Sequence, residues 1–250
     1  MIPFLAALQF LLVTPAFVAR PFTGREMGRS VGFYALVGLL FGGILALIDL
    51  GLGLVFPIPV RSALLLVFWV VLTGGLHLDG FLDSCDGLLG GFTPESRMEI
   101  MRDERVGAFG LAGGVLLFLI LYSALSAISI DRWAVLILAP LLGRWGISLA
   151  VILFPYARQS GLGKDIKDNA GRVELILGTV TTAAAIVVVA VILHSAAPFI
   201  ALLTAIIVFV CSIWFILRRI PGMTGDTYGA INMLVEAGAL LAFVGSIWAG

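Results

Sequence analysis

The chain has 250 residues, of which 61% are apolar and only 12% charged, against about 25% charged in soluble domains, and its mean hydropathy is +1.14. Fifteen basic and fifteen acidic side chains cancel, so no net field gathers a polyanion and nucleic acid is excluded as a partner. The composition is that of an integral membrane protein, for which the lipid bilayer is the solvent. Because open sheet edges cannot face hydrocarbon, the expected fold is all-α, a polytopic transmembrane helical bundle, read as a single membrane domain over residues 1–250. Cys85 and Cys211 lie too far apart to suggest a disulfide framework or a Cys-based metal site.

A spanning helix needs roughly 20 mainly apolar residues. Taken in chain order, residues 3–19 are apolar but short and interrupted by Pro15. An additional N-terminal span, a re-entrant helix and an interfacial helix are all open for them. The Arg20 flank, with no basic leader and no small-residue cleavage site, favours retention over removal as a signal peptide. Residues 30–56 form the first clear span, and Pro57 and Pro59 restrict the turn that follows. Residues 62–76 number about 15 and cross only with their polar continuation or where the bilayer is thin. Residues 108–130, 134–154, 175–193, 197–217 and 231–249 each have spanning length, for about seven spans in all. No internal repeat emerges.

The remaining charges gather in four regions, 20–29, 77–105, 158–172 and 218–226. If residues 30–56 and 62–76 form a pair and every later span crosses once, all four share one membrane face. Only Arg61 and Arg132 fall opposite, so the excess of Lys and Arg places the charged face in the cytoplasm.

The most informative block is His77-Leu-Asp-Gly-Phe-Leu-Asp-Ser-Cys-Asp-Gly, since seven of the fifteen acids fall between Asp79 and Glu104. On a helix, Asp79, Asp83 and Asp86 stand at i, i+4 and i+7, on one face, and are expected to converge. Their repulsion near a membrane needs compensation. A hard divalent cation supplies it, because Mg²⁺ takes carboxylate, phosphate and water oxygens, and this points to phosphoryl transfer. Salt bridges to Arg97, Arg102 and Arg105, a solvated acidic face or a proton pathway explain the same acids without a metal. Gly90-Gly91 should break the helix, and Thr93-Pro94 should start another. Glu99 and Asp103 then share a face, with Asp103 a fourth candidate ligand. His77 is expected to turn away from the acids and to be structural, interfacial or substrate-contacting, and Cys85 has no catalytic partner nearby.

Arg102 and Arg105 are candidates to hold substrate phosphates, as are Arg158 and Lys164 in the glycine-containing stretch 155–168. That stretch is not a Walker loop, and a positive loop that merely satisfies topology explains it equally. Asp226 has three readings: a residue that binds metal or positions substrate, a helix cap together with Thr227, or part of a turn. Asn232 and Glu236, at i and i+4 inside the last apolar stretch, should face other helices or a polar cavity, whereas Asp49 is expected at the interface.

Taken together, Ala7-Leu-Gln-Phe, the His77 block, Arg102-Asp103 with Val106-Gly107-Ala108-Phe109-Gly110, Ala157-Arg158 with Gly161-Leu162-Gly163, and Thr224-Gly225-Asp226-Thr227-Tyr228-Gly229-Ala230 resemble the cobalamin synthase family, also called adenosylcobinamide-GDP ribazoletransferases. The resemblance covers nearly the whole chain. It implies a Mg²⁺-dependent enzyme of a bacterial or archaeal cytoplasmic membrane that joins adenosylcobinamide-GDP to α-ribazole or its 5′-phosphate and releases GMP. It also implies that Asp79, Asp83, Asp86, Asp103 and Asp226 are the family-like acids, with Arg102, Arg105 and Arg158 at the phosphates. Asp83 or Asp86 is then the candidate to assist deprotonation of the ribose 3′-hydroxyl. Met233 departs from the pattern, standing where the family often has Glu. A homo-oligomer stays open. Two alternatives use the same acids: a CDP-alcohol phosphotransferase, whose usual Asp spacing this chain does not reproduce, and a cation- or proton-coupled transporter.

Overall fold

Backbone groups that reach lipid must be hydrogen-bonded within their own segment, and each apolar run is accordingly a helix. The computed structural model describes residues 1–248. Its helices are α1 (Ile2–Leu11), α2 (Gly24–Ser30), α3 (Tyr34–Leu52), α4 (Ile58–Leu72), α5 (Leu76–Gly90), α6 (Pro94–Ile100), α7 (Ala108–Ala127), α8 (Arg132–Leu153), α9 (Leu162–Asn169), α10 (Arg172–Leu193), α11 (Ala197–Leu217) and α12 (Gly225–Trp248). Among the described residues there is no sheet. Among the described residues six segments are long and apolar enough to cross a membrane: the continuous rod Gly24–Leu52 and helices α7, α8, α10, α11 and α12. The last expected segment ends on Ala249, which lies outside the described residues.

The short segment at 62–76 takes a broken form. Helix α4 has 15 residues and rises about 22 Å, short of a hydrocarbon core of about 30 Å. It stops at Gly74 and Gly75, both with positive φ (59° and 72°), and α5 leaves at 91° to it. Left-handed backbone at two successive positions favours glycine, and here it turns the chain from an apolar helix into the acidic one. At ten residues, α1 is about 15 Å long and too short to be an eighth span. The chain after it docks on the end of α4, where Val13 N–H donates to the Leu72 carbonyl (2.8 Å).

Helix α8 is the central post. Of its spanning window 78% is buried, against 33% for α7, α10 and α11, so those three present most of their surface to lipid. Small residues set the α3 to α8 distance, as expected where packing rather than water drives helix association. A Cβ on Gly38 would stand 2.4 Å from the Pro140 carbonyl oxygen, and one on Gly42 2.6 Å from the Ile137 Cα.

The charges sort to two ends. Near Gly28 the backbone of α2 packs on Asn169 at the end of α9. Arg97 Nη1 donates to the Arg219 carbonyl (2.9 Å), and Met223 N–H donates to the Pro155 carbonyl (2.7 Å). All four charged regions therefore meet at one end of the bundle. At the other end Asp49 is buried rather than interfacial. Its carboxylate accepts from Arg132 Nε (3.0 Å) and Nη2 (2.9 Å) and pairs with Arg61 Nε at 3.5 Å. These two arginines, at the end away from the four charged regions, thus share a carboxylate there.

Substitution at two adjacent glycines separates packing from lipid exposure. Gly42→Leu should lower the thermal stability of detergent-purified protein by about 1–3 kcal/mol through overpacking against α8. Gly43→Leu, where a Cβ meets nothing within 4 Å, should leave the melting temperature nearly unchanged.

Candidate active site

Helix α5 carries Asp79, Asp83 and Asp86 as the spacing requires, yet the three do not converge. Residues seven apart are separated by about 10 Å along a helix axis, so a shared face is not a shared point. Asp86, at the far end, is buried and caps another helix: Gly107 N–H donates to its Oδ2 (2.7 Å) and Gly110 N–H to its Oδ1 (2.8 Å). These groups open α7, where free N–H donors and the helix dipole stabilise an anion. A Cβ on Gly107 or Gly110 would come within 2.5 Å and 2.3 Å of that carboxylate, which gives the Val106–Gly110 stretch its packing role. Asp83 is half-buried. It stands in the field of Asp79, Asp226 and Asp86, offset by Arg158.

Asp226 reaches the site from the start of α12. The cap of that helix is built by its neighbours: Thr227 N–H donates to Thr224 Oγ1 (3.2 Å) and Thr224 N–H to Thr227 Oγ1 (2.8 Å). Capping therefore does not occupy the Asp226 carboxylate. It accepts instead from Arg158 Nη2 (2.6 Å) and Thr224 Oγ1 (3.2 Å). Arg158 is held in place by a two-strand bridge, with Ala157 N–H donating to the Met223 carbonyl (2.8 Å). Gly222 lies so close to Pro155 that a Cβ there would stand 2.6 Å from its carbonyl oxygen.

The two acidic elements meet through glycine. A Cβ on Gly80 would lie 2.8 Å from the Asp226 carbonyl oxygen, and one on Gly229 2.9 Å from that of His77. The result is a cavity of about 300 Å³ to which Asp79, Asp226 and Arg158 all contribute, with His77 beside them. His77 was expected to turn away from the acids. It is buried and borders the same cavity, but none of the acids hydrogen-bonds its Nε2. A second cavity, of about 310 Å³, has an apolar lining of Phe81, Leu88, Phe215 and Leu234 without any of these charges.

The other expected residues lie elsewhere. Helix α6 ends at Ile100, so Asp103 does not share a helical face with Glu99. Arg105 Nη2 pairs with it at 2.6 Å, and that guanidinium holds the exposed carboxyl down at about 2. Arg102 is exposed and contributes positive field at Tyr156. Lys164 pairs with Asp168 along the surface of α9. Gly163 admits the Tyr156 ring, and burial raises the proton affinity of that phenol. Glu236, as expected, faces inward, but its partner Arg144 was not foreseen; both are fully buried and ion-paired. Its sequence signal was a cation inside an apolar run. Tyr34, Tyr156 and Tyr228 also line the cavity; a lone tyrosine in an apolar segment carries no comparable signal.

Among the described residues no three His, Cys, Asp or Glu side chains are already gathered as a metal site. The acids here nevertheless suit a hard cation: Asp79 and Asp226 line the cavity, Asp83 stands in the field of both, and all three offer only carboxylate oxygens.

The profile described as cobalamin-5-phosphate synthase matches residues 3–244. A relative from Stutzerimonas stutzeri strain A1501, named adenosylcobinamide-GDP ribazoletransferase, is 40% identical over 243 residues, covering 96% of this chain and 97% of its own. Proteins of the same name from Pseudomonas fluorescens strain Pf-5 and Geotalea daltonii are 40% and 37% identical, each match covering 96% of this chain and 98% and 96% of theirs. No solved structure matches the chain.

The capping geometry of Asp86 has a direct test. Asp86→Asn keeps an acceptor for one N–H but loses the second and the charge. It should cost about 0.5–2 kcal/mol of stability in thermal denaturation, the range for a lost helix cap. Asp83→Asn, which gives up no hydrogen bond among the described residues, should melt like the parent.

Proposed function

The chain belongs to the cobalamin-5-phosphate synthase family, and from that premise we propose that it is an adenosylcobinamide-GDP ribazoletransferase of the bacterial cytoplasmic membrane. It joins adenosylcobinamide-GDP to α-ribazole or its 5′-phosphate, releases GMP and forms adenosylcobalamin or its 5′-phosphate. The observation that carries this reading is the agreement of the relatives over almost the full length of both chains. The whole chain then serves as one membrane transferase unit. Its charged end faces the cytoplasm by the distribution of Lys and Arg.

The reaction is read as a direct displacement. The ribose 3′-oxygen attacks the phosphorus attached to the cobinamide side; the new P–O bond forms, and the bond to the oxygen that departs with GMP breaks. The hydroxyl proton passes to a carboxylate. Asp83 suits that role because it is half-buried among the acids and makes no hydrogen bond among the described residues, whereas both Asp86 oxygens hold α7. Arg158 beside Asp226 is placed for the pyrophosphate, as a guanidinium matches phosphate oxygens. Asp79 and Asp226 would hold Mg²⁺, which would neutralise charge on the transferring phosphoryl group. Arg102 stands near the same end, whereas Asp103, Arg105 and Lys164 lie outside the cavity and outside the charges that act on Asp83, so we give those three no part in the chemistry.

Mass spectrometry of a reaction of detergent-purified protein with adenosylcobinamide-GDP, α-ribazole and Mg²⁺ should show adenosylcobalamin and GMP, and chelation should stop both. Consumption of a CDP-linked lipid donor, or substrate flux in proteoliposomes without a covalent product, would overturn the assignment. Asp83→Asn should lower kcat by about 10²- to 10⁴-fold, as for loss of a general base. Gly80→Ala, by moving Asp226 away from Asp79, should lower it by up to ~10²-fold with all the acids still present.

A further inference from the structure

The cavity beside Asp79 and Asp226 is divided in character. Its charged members, Asp79, Asp226 and Arg158, are exposed or half-buried and mark its mouth, while the aromatic and aliphatic members Tyr34, Ile147, Val151 and Ile166 are buried. Two ring pairs contribute to the wall: Phe10 with Tyr34, and Tyr156 with Tyr228, each with centroids 6.2 Å apart and planes 30° from parallel. Ile147, Val151 and Ile166 also belong to the lining. Within this lining three polar atoms are buried and without a partner: His77 Nε2, Tyr34 OH and Tyr228 OH. Their residues are 4%, 1% and 8% exposed. A buried donor or acceptor left unpaired costs about 1–3 kcal/mol; these atoms expose almost no surface, so pairing with a ligand in the cavity requires the side chains to turn toward it.

We propose that this cavity is the α-ribazole subsite, with the benzimidazole base held between the aromatic walls and its ribose at the mouth beside Asp79 and Asp226. The proposal rests on the transferase reading given above. Size selects between the two substrates. At about 300 Å³ the cavity lies at the lower end of small-molecule sites, which run from about 300 to 1,000 Å³. A nucleoside with a flat bicyclic base fits such a volume; a corrin macrocycle carrying an adenosyl group and a nucleotide does not, and it must approach from the open charged end. Chemistry selects the orientation. The base is planar, apolar over its faces and neutral, with one free ring nitrogen that accepts a hydrogen bond, and the interior offers aromatic faces, no charged lining group and donors of the imidazole and phenol type. Only the ribose end then reaches the acids, where its hydroxyl must meet the phosphorus. The short α1 gains a purpose, since Phe10 and Leu11 form part of this wall.

Steady-state kinetics of the full-length protein, with each substrate varied in turn, tests the assignment. Val151→Phe, which fills the interior, should raise KM for α-ribazole at least about tenfold, the scale of an overpacking penalty. Tyr228→Phe should raise it about five- to tenfold, as for one lost hydrogen bond. KM for adenosylcobinamide-GDP should stay within about twofold in both, since neither change touches the charged mouth. In the unaltered protein, free 5,6-dimethylbenzimidazole should inhibit competitively against α-ribazole and not against the GDP-linked donor, a readout that requires no variant to fold. A rise in donor KM with α-ribazole KM unchanged, or no competition by the free base, would overturn the proposal. If the unaltered protein releases no GMP, the transferase reading fails separately, and equilibrium dialysis with labelled α-ribazole still decides. Binding lost in Val151→Phe supports the subsite, and binding unaffected by it overturns it.

Discussion

Helices α5 and α12 cross with their backbones in contact, and that contact is possible because each carries glycine at the crossing. A side chain on Gly80 would collide with the backbone of Asp226, and one on Gly229 with that of His77. The approach places the first turn of α5 against the first turn of α12, so that Asp79 and Asp226, remote in sequence, border one cavity. The turn at Gly74 and Gly75 is the other half of the same constraint. Without two left-handed residues α4 would continue into α5 along one axis, and the acids would leave the bundle instead of crossing it. Glycine in these segments therefore serves approach and direction, the two uses its missing Cβ permits.

Buried charge fixes the helices that this crossing leans on. Arg144 on α8 pairs with Glu236 on α12 where both are fully buried, and the Arg144 guanidinium also lies over the Phe41 ring of α3, 4.9 Å from its centroid. A buried pair returns little net stability after desolvation, but losing one partner strands the other at about 3–5 kcal/mol. Its consequence here is register, because sliding α12 along α8 would separate the charges. Asp49 with Arg132 does the same between α3 and α8 at the opposite end. The central helix is thus pinned at two levels, and the cavity is built on the half toward the charged end from Ile147 and Val151.

Much of this was legible in the residues. The apolar runs read as helices because length and hydropathy are local properties, and the interruption at Gly90-Gly91 with a new start at Thr93-Pro94 appears as read, with Ser96 N–H donating to Thr93 Oγ1 (3.2 Å). The acid block was equally visible. Less visible was what each acid does, since that depends on partners from other helices. Asp86 looks equivalent to Asp79 and Asp83 by periodicity, yet the start of α7 takes both its oxygens. Asp226 looks like a helix cap, yet Thr224 and Thr227 cap the helix reciprocally. Arg144 was passed over within an apolar run, and Asp49 was assigned to an interface it does not occupy.

The sequence alone determined that the chain is a helical membrane protein, that its charges collect at one face, that its acids concentrate in the 77–104 stretch and which family it resembles. Each of these follows from composition, spacing or motif order, which need no knowledge of neighbours. Tertiary structure decided which carboxylates share a cavity, which one serves as a cap, that α4 and α5 form a bent pair, and that aromatic residues from four separate segments enclose a space of about 300 Å³. Those outcomes depend on the distance and angle between helix backbones. That geometry is set by glycines and buried ion pairs acting across the bundle, and period and propensity along one segment do not encode it.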